Sequence, residues 1–172
     1  GDGATALHYA VLADDLGTTE LLIEAGADVN VVNDFGIIPL SLAAENGNAS
    51  IIEALLKAGA DSSATVSTGE SVLMTAAYAG DLNAIDVLLE YGANVNAKEP
   101  VREQTALMWA LAEEHTEVAR RLIEHGADIH AATTLGFTPL LFAAREGKLE
   151  SIKLLLDAGA DVNVAVENVK TG

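Results

Sequence analysis

The sequence predicts an all-α solenoid of five stacked helix-turn-helix units, with hairpin-like fingers projecting between them. Three observations predict it. The tripeptide Gly-Ala-Asp or Gly-Ala-Asn recurs from Gly26, Gly59, Gly92, Gly126 and Gly159, a period of about 33 residues. A second glycine series runs in step at Gly3, Gly36, Gly69 and Gly136, with Glu103 standing where the remaining member belongs. Between these markers the apolar residues fall at helical spacing, in two pieces separated by a break. The composition agrees: 50% of the side chains are apolar but only 4% aromatic, so the core is built from small and aliphatic groups at close helix-helix distance.

The first helix of each unit reads Thr5-Ala6-Leu7-His8-Tyr9-Ala10 at one end of the chain and Thr138-Pro139-Leu140-Leu141-Phe142-Ala143 at the other. Leu and Ala three apart share one helical face. A leading Thr or Ser suits an N-cap, and Pro39 and Pro139 follow that position at N1, where a missing N–H costs nothing. The break falls at Gly47, Gly80 and Gly147, and at Asp14 and Glu114 in the first and fourth units; a left-handed residue there ends the helix. The second helix closes on an aliphatic pair (Leu22-Ile23, Leu55-Leu56, Leu88-Leu89, Leu122-Ile123, Leu155-Leu156) followed by the glycine of the tripeptide as its cap. An extended, polar or β-branched segment such as residues 28–35 then forms the finger.

Residues 1–172 are expected to form one repeat domain, with units at about 3–35, 36–68, 69–102, 103–135 and 136–168, and with 169–172 opening a truncated next unit. A single unit cannot bury its apolar face alone, so the terminal units are the weakest. Gly17, Thr18 and Thr19 predict a frayed or capping end in the second helix of the first unit.

Thr138-Pro139-Leu140, Ala143-Ala144, Gly147, Leu155-Leu156 and Gly159-Ala160-Asp161-Val162-Asn163 carry a resemblance to the ankyrin repeat family, which extends from about Gly3 to Asn168. The resemblance implies an L-shaped stack of antiparallel helix pairs. Fingers at right angles and the first helices form a concave surface, through which members typically bind proteins. It also implies a turn-bonding structural role for His8, and hydroxylation, in some eukaryotic members, of the finger asparagine, here Asn30, Asn96 and Asn163, with Ser63 and His130 replacing it in two units.

The formal charge is −17, with 26 acidic against 9 basic side chains. Such a surface repels nucleic acid and anionic lipid and favours a basic or neutral protein partner. No Lys or Arg precedes Lys57, so the N-terminal third is strongly negative. No apolar run approaches the ~18 residues of a membrane span, so no membrane insertion is expected. The absence of cysteine removes disulfides and thiolate metal sites and leaves the compartment open, with the cytoplasm as the working expectation. A monomer without cofactor is expected; the identity of the protein partner is not written in the sequence.

Candidate contact residues fall on two strips. On the fingers these are Phe35, Ile37, Glu70, Val101, Arg102, Leu135 and Phe137; large apolar groups at exposed tips either mark an interface or pack against neighbouring fingers. On the first helices they are Glu45, Asn46, Tyr78, Trp109, Glu113, Arg145 and Glu146, ahead of or near the break. Aromatic groups are favoured binding anchors, but packing between units is the preferred reading for Trp109, and Tyr78 is the better exposed candidate. The segment Lys98-Glu99-Pro100-Val101-Arg102-Glu103 carries one inserted residue and lacks the usual glycine; it is either a specificity element or a tolerated insertion stiffened by Pro100.

His115, His125 and His130 lie close in sequence, but the first two start and end one helix, over ten ångströms apart at about 1.5 Å per residue, which argues against a metal site. No Cys nucleophile, phosphate-binding glycine loop, His-Glu-x-x-His or nucleophile elbow is present, and acid pairs such as Asp14-Asp15 and Glu113-Glu114 fall in solvated breaks. The expected function is a protein-recognition scaffold and not an enzyme. The alternative is a structural or regulatory spacer in a larger protein whose activity lies in another domain.

Overall fold

The computed structural model describes residues 1–166, so the expected next unit at 169–172 lies outside the described residues. Among the described residues ten helices alternate: α1 (Ala6–Leu12), α2 (Leu16–Glu24), α3 (Pro39–Asn46), α4 (Ala49–Lys57), α5 (Val72–Ala79), α6 (Leu82–Glu90), α7 (Ala106–Ala112), α8 (Thr116–Glu124), α9 (Pro139–Arg145) and α10 (Leu149–Asp157). The odd-numbered helices pack on one another in one row and the even-numbered in a second, with each odd helix against the even one that follows it. Leu7, Leu40, Leu73, Leu107 and Leu140 repeat down the first row, and Leu55, Leu88, Leu122 and Leu155 down the second; all are buried in one continuous core. Leu22, the counterpart in α2, is only partly buried, because among the described residues α2 packs on one even helix, α4, and not between two.

Every even helix ends in the same way. The N–H of Gly26 bonds to Ile23 O at 2.9 Å and that of Ala27 to Leu22 O at 3.0 Å, with Gly26 at φ +89°, and the same pair of bonds recurs at Gly59, Gly92, Gly126 and Gly159. This is the Schellman closure, and it requires the left-handed residue that glycine supplies. At the turns between paired helices, Gly47, Gly80 and Gly147 adopt positive φ; Asp14 (φ 57°) and Glu114 (φ 62°) do the same where glycine is missing.

Helix starts depart from expectation at two points. Ile38 has no side-chain oxygen, so α3 is capped from within: Ser41 Oγ accepts from Ile38 N at 3.3 Å and donates to Ile38 O at 2.8 Å. Gly17, Thr18 and Thr19 do not fray α2. They form its first turn, where the Asp15 carboxylate accepts from Thr18 N at 3.0 Å and from the Thr18 hydroxyl at 2.6 Å, and Thr19 Oγ1 donates to Asp15 O at 2.8 Å. The Thr18 hydroxyl and N–H hold the Asp15 carboxyl below its usual range. Thr19 is fully buried.

The fingers are turns and not ladders: among the described residues the one β-bridge joins Thr65 and Ser71. Units are stapled through side chains. Asn30 donates to Gly59 O at 2.9 Å and accepts from Asp61 N at 3.1 Å, and Asn96 repeats this with Gly126 O and Asp128 N. His8 is buried, its Nδ1 accepting from Thr5 N at 3.2 Å and its Nε2 lying 3.1 Å from Ile37 O, which ties α1 to the next finger.

Candidate functional site

The first, third and fourth fingers each turn on one side chain, whereas the second is closed by the backbone of Val66. In the first, Asn33 Oδ1 accepts from Phe35 N at 3.0 Å and Ile37 N at 2.9 Å; in the fourth, Thr133 Oγ1 accepts from Phe137 N at 3.0 Å. The turn pushes Phe35 and Leu135 out to 67% and 66% exposure. The third finger holds an extra residue, and Glu99 spans it. Its carboxylate accepts from Val101 N at 2.7 Å, Arg102 N at 2.8 Å and Gln104 N at 3.0 Å, while Glu103 takes the glycine's place at φ 57°. Glu99 is 5% exposed. Burial opposes its ionisation, but the N–H donors of Gln104, Val101 and Arg102, with the Arg102 charge, outweigh that and hold the carboxyl below the usual range. The inserted residue lifts Val101 to a 73% exposed tip, and Pro100 lies against the second finger, where a Cβ on Gly69 would stand 2.5 Å from its ring.

The floor below the fingers comes from α5, α7 and α9. Tyr78 is exposed and meets Trp109 edge to face, ring centres 5.9 Å apart. Phe137 and Phe142 make a second edge contact at 6.1 Å, and the Arg145 guanidinium lies over both rings at 5.2 and 4.8 Å. The indole N–H of Trp109 is buried and has no hydrogen-bond partner among the described residues.

Three concavities adjoin here. The first, about 270 Å³, lies between Arg102, Gln104, Thr133, Thr134, Leu135, Phe137, Phe142 and Arg145. The second, about 260 Å³, is bounded by Tyr78, Arg102, Gln104, Met108, Trp109, Ala112 and Glu113. The third, about 390 Å³, is bounded by Thr68, Glu70, Glu99, Val101, Arg102, Gln104 and Trp109. Arg102 and Gln104 border all three.

Of the residues singled out in the sequence, Glu70, Tyr78, Val101, Arg102, Trp109, Glu113, Leu135, Phe137 and Arg145 therefore gather on one surface. Phe35, Ile37 and Glu45 line a separate hollow of about 250 Å³ with Ser41, Leu42, Val66 and Thr75. Asn46 turns its amide to Val11 O at 3.0 Å and so joins neighbouring units; Glu146 pairs with Arg145 at 2.8 Å. Met108 and the turn-forming Glu99 were not indicated by the sequence pattern; an inserted residue beside a missing glycine is the signal that could have pointed to Glu99. His115 lies over Gly80, its Nε2 3.0 Å from Tyr78 O, and His125 Nδ1 lies 2.9 Å from Arg121 O. Among the described residues no three His, Cys, Asp or Glu gather where they could hold a metal ion, and no helix is long and apolar enough to cross a membrane.

The two rows of helices, the glycine-closed turns and the finger-lined face define a helical-repeat protein. Sequence comparison makes the class specific: the family described as Ankyrin repeats (3 copies) matches residues 7–99 and 99–166. The chain belongs to the ankyrin repeat family, whose repeats generally serve as protein–protein interaction modules. Among curated proteins it is similar to the mitochondrial disaggregase of Homo sapiens and that of Bos taurus, each 51% identical over 43 residues, 25% of this chain and 6% of the relative. It is also similar to potassium channel AKT3 of Oryza sativa subsp. japonica, 41% identical over 51 residues, 30% of this chain and 6% of the relative. The chain thus spans only a small part of the curated relatives it matches.

Proposed function

We propose that this chain is a monomeric protein-recognition module that binds a basic or neutral partner through its concave face, with the contact centred on the third to fifth units. The observation that carries this reading is the merging of three concavities around Arg102 and Gln104, with Tyr78, Val101 and Leu135 exposed at their borders. Large exposed apolar and aromatic groups beside a preformed depression are what a binding anchor needs, since they are already desolvated on one side and lose little entropy on contact. The overall charge of −17 steers partner choice toward basic or neutral surfaces.

The test is the double variant Tyr78→Ala/Phe137→Ser, titrated against a partner captured with the unaltered chain. A loss of at least about tenfold in affinity is expected, the size of one well-packed anchor, with the chain still folded and only the modest drop in melting temperature that losing two edge contacts brings. Unchanged affinity would overturn the reading.

A second reading, a structural or regulatory segment of a longer protein whose activity lies elsewhere, is favoured by the relatives, in which the similar stretch is 6% of the whole. It predicts that the isolated segment captures no specific protein.

A further inference from the structure

The charge pattern of the recognition face is more specific than the net charge suggests. Acidic side chains outnumber basic ones 26 to 9, so a cation on this surface finds a carboxylate easily. Lys57, Lys98, Arg120, Arg121, Arg145, Lys148 and Lys153 each do so, with Glu53, Glu103, Glu117, Asp86 and Glu124, Glu146, Glu114 and Glu150. Among the described residues Arg102 is the exception. Its backbone N–H is bound by Glu99 and its carbonyl by Thr134 N at 2.9 Å, so its position is fixed, but its guanidinium makes no ion pair and no hydrogen bond. The nearest acids are otherwise engaged: Glu99 closes its own turn, and Glu70 accepts the Thr68 hydroxyl.

Arg102 shares the first concavity with a second guanidinium, that of Arg145, which Phe137 and Phe142 hold in place by stacking. Gln104 adds a carboxamide that makes no hydrogen bond among the described residues. One unpaired planar fork, a second whose Nε is taken by Glu146, and an amide donor around an aromatic wall form a site for a planar anion, because a carboxylate can accept from a guanidinium through both oxygens. Resting on the concave-face reading above, we propose that this hollow seats the side chain of one aspartate or glutamate, within an otherwise neutral or basic segment of the protein partner. The restriction to one acid follows from range. A carboxylate in contact with Arg102 gains at a few ångströms, whereas further acids outside the hollow meet the field of a −17 protein within about one Debye length, ~8–10 Å. The apolar wall of Leu135, Phe137 and Phe142 places an aliphatic or aromatic residue beside that acid.

The experiment is selection from a displayed library of random dodecapeptides on the intact chain, followed by titration of the recovered peptides. Peptides carrying one Asp or Glu among neutral or basic residues are expected. Their affinity falls at least about tenfold on Arg102→Gln, with the melting temperature only slightly lower because the exposed Arg102 adds the smallest of the supports to Glu99. With Arg102→Glu as bait, Lys or Arg replaces the acid at the same position. Peptides that bind through Tyr78 and Phe137, as judged by the double variant, but ignore Arg102→Gln would overturn the carboxylate seat and leave the concave-face reading standing. Peptides indifferent to both sets of changes would overturn both. Recovery of no binding peptide would overturn the seat for a linear segment, with the captured-partner titration deciding the wider reading separately.

Discussion

The first three units and the last two satisfy the same repeat with different side chains. In α2, α4 and α6 the start of the helix is capped by Asp15, Asn48 and Asp81, each accepting from the N–H three residues on at 3.0, 3.0 and 2.8 Å. In α8 and α10 that position is His115 and Lys148, and neither caps. His115 reaches instead to Tyr78 O, and Lys148 pairs with Glu114, each across a unit boundary. The fingers differ in parallel. The first turns on an exposed Asn33-centred loop at the acidic end, the third on the buried Glu99 carboxylate with a cation beside it. Side chains cross unit boundaries throughout, but at the starts of the even helices the first three units keep a carboxylate or amide for the cap, whereas the last two turn that position wholly across the boundary.

Substitutions can break this contrast. The largest effect is expected from Leu88→Ala, which empties a fully buried site between two neighbours and should cost about 2–5 kcal/mol in denaturant unfolding. The matching Leu22→Ala in the half-covered first unit should cost about 1 kcal/mol. Equal losses would mean that the first unit is covered as well as the middle ones.

Next in size is Glu99→Gln, which removes the charge from three backbone N–H bonds and should destabilise by about 2 kcal/mol. The pH dependence sharpens the point. The folded-state pKa of Glu99 is depressed, so its contribution is fully present above the unfolded value near 4.5 and is lost as pH falls through the folded one. Thermal melts of wild type and Glu99→Gln should therefore converge on acidification below about that pH and remain separated above it.

Smaller still is the capping difference. Asp81→Ala should cost about 1 kcal/mol by loss of its N-cap bond, whereas Lys148→Ala should cost only a few tenths, since its pair with a well-exposed Glu114 is screened. A reversed order would show that the later units depend on their cross-boundary pairs more than the earlier ones do on caps.

Period and glycine phase carried the architecture in the sequence, because Schellman closures and positive-φ turns demand particular residues at fixed intervals. The solvent side was less legible. Glu99 lies in a charged run where an inward-turned carboxylate cannot be told from a solvated one, and Thr19 reads as a helix weakener until its hydroxyl is seen bonded to Asp15 O. Tyr78, Val101 and Leu135 were recognisable as exposed candidates. The separation of Phe35, Ile37 and Glu45 from them was not, since it depends on which hollows merge when the fingers stack.

The most direct measurement is hydrogen–deuterium exchange of the chain with and without a saturating partner. Added protection at residues 99–104 and 133–137, with none at 33–37, is the predicted result. Protection confined to the first finger, or to the outer faces of the even-numbered helices, would contradict the placement of recognition on the third to fifth units.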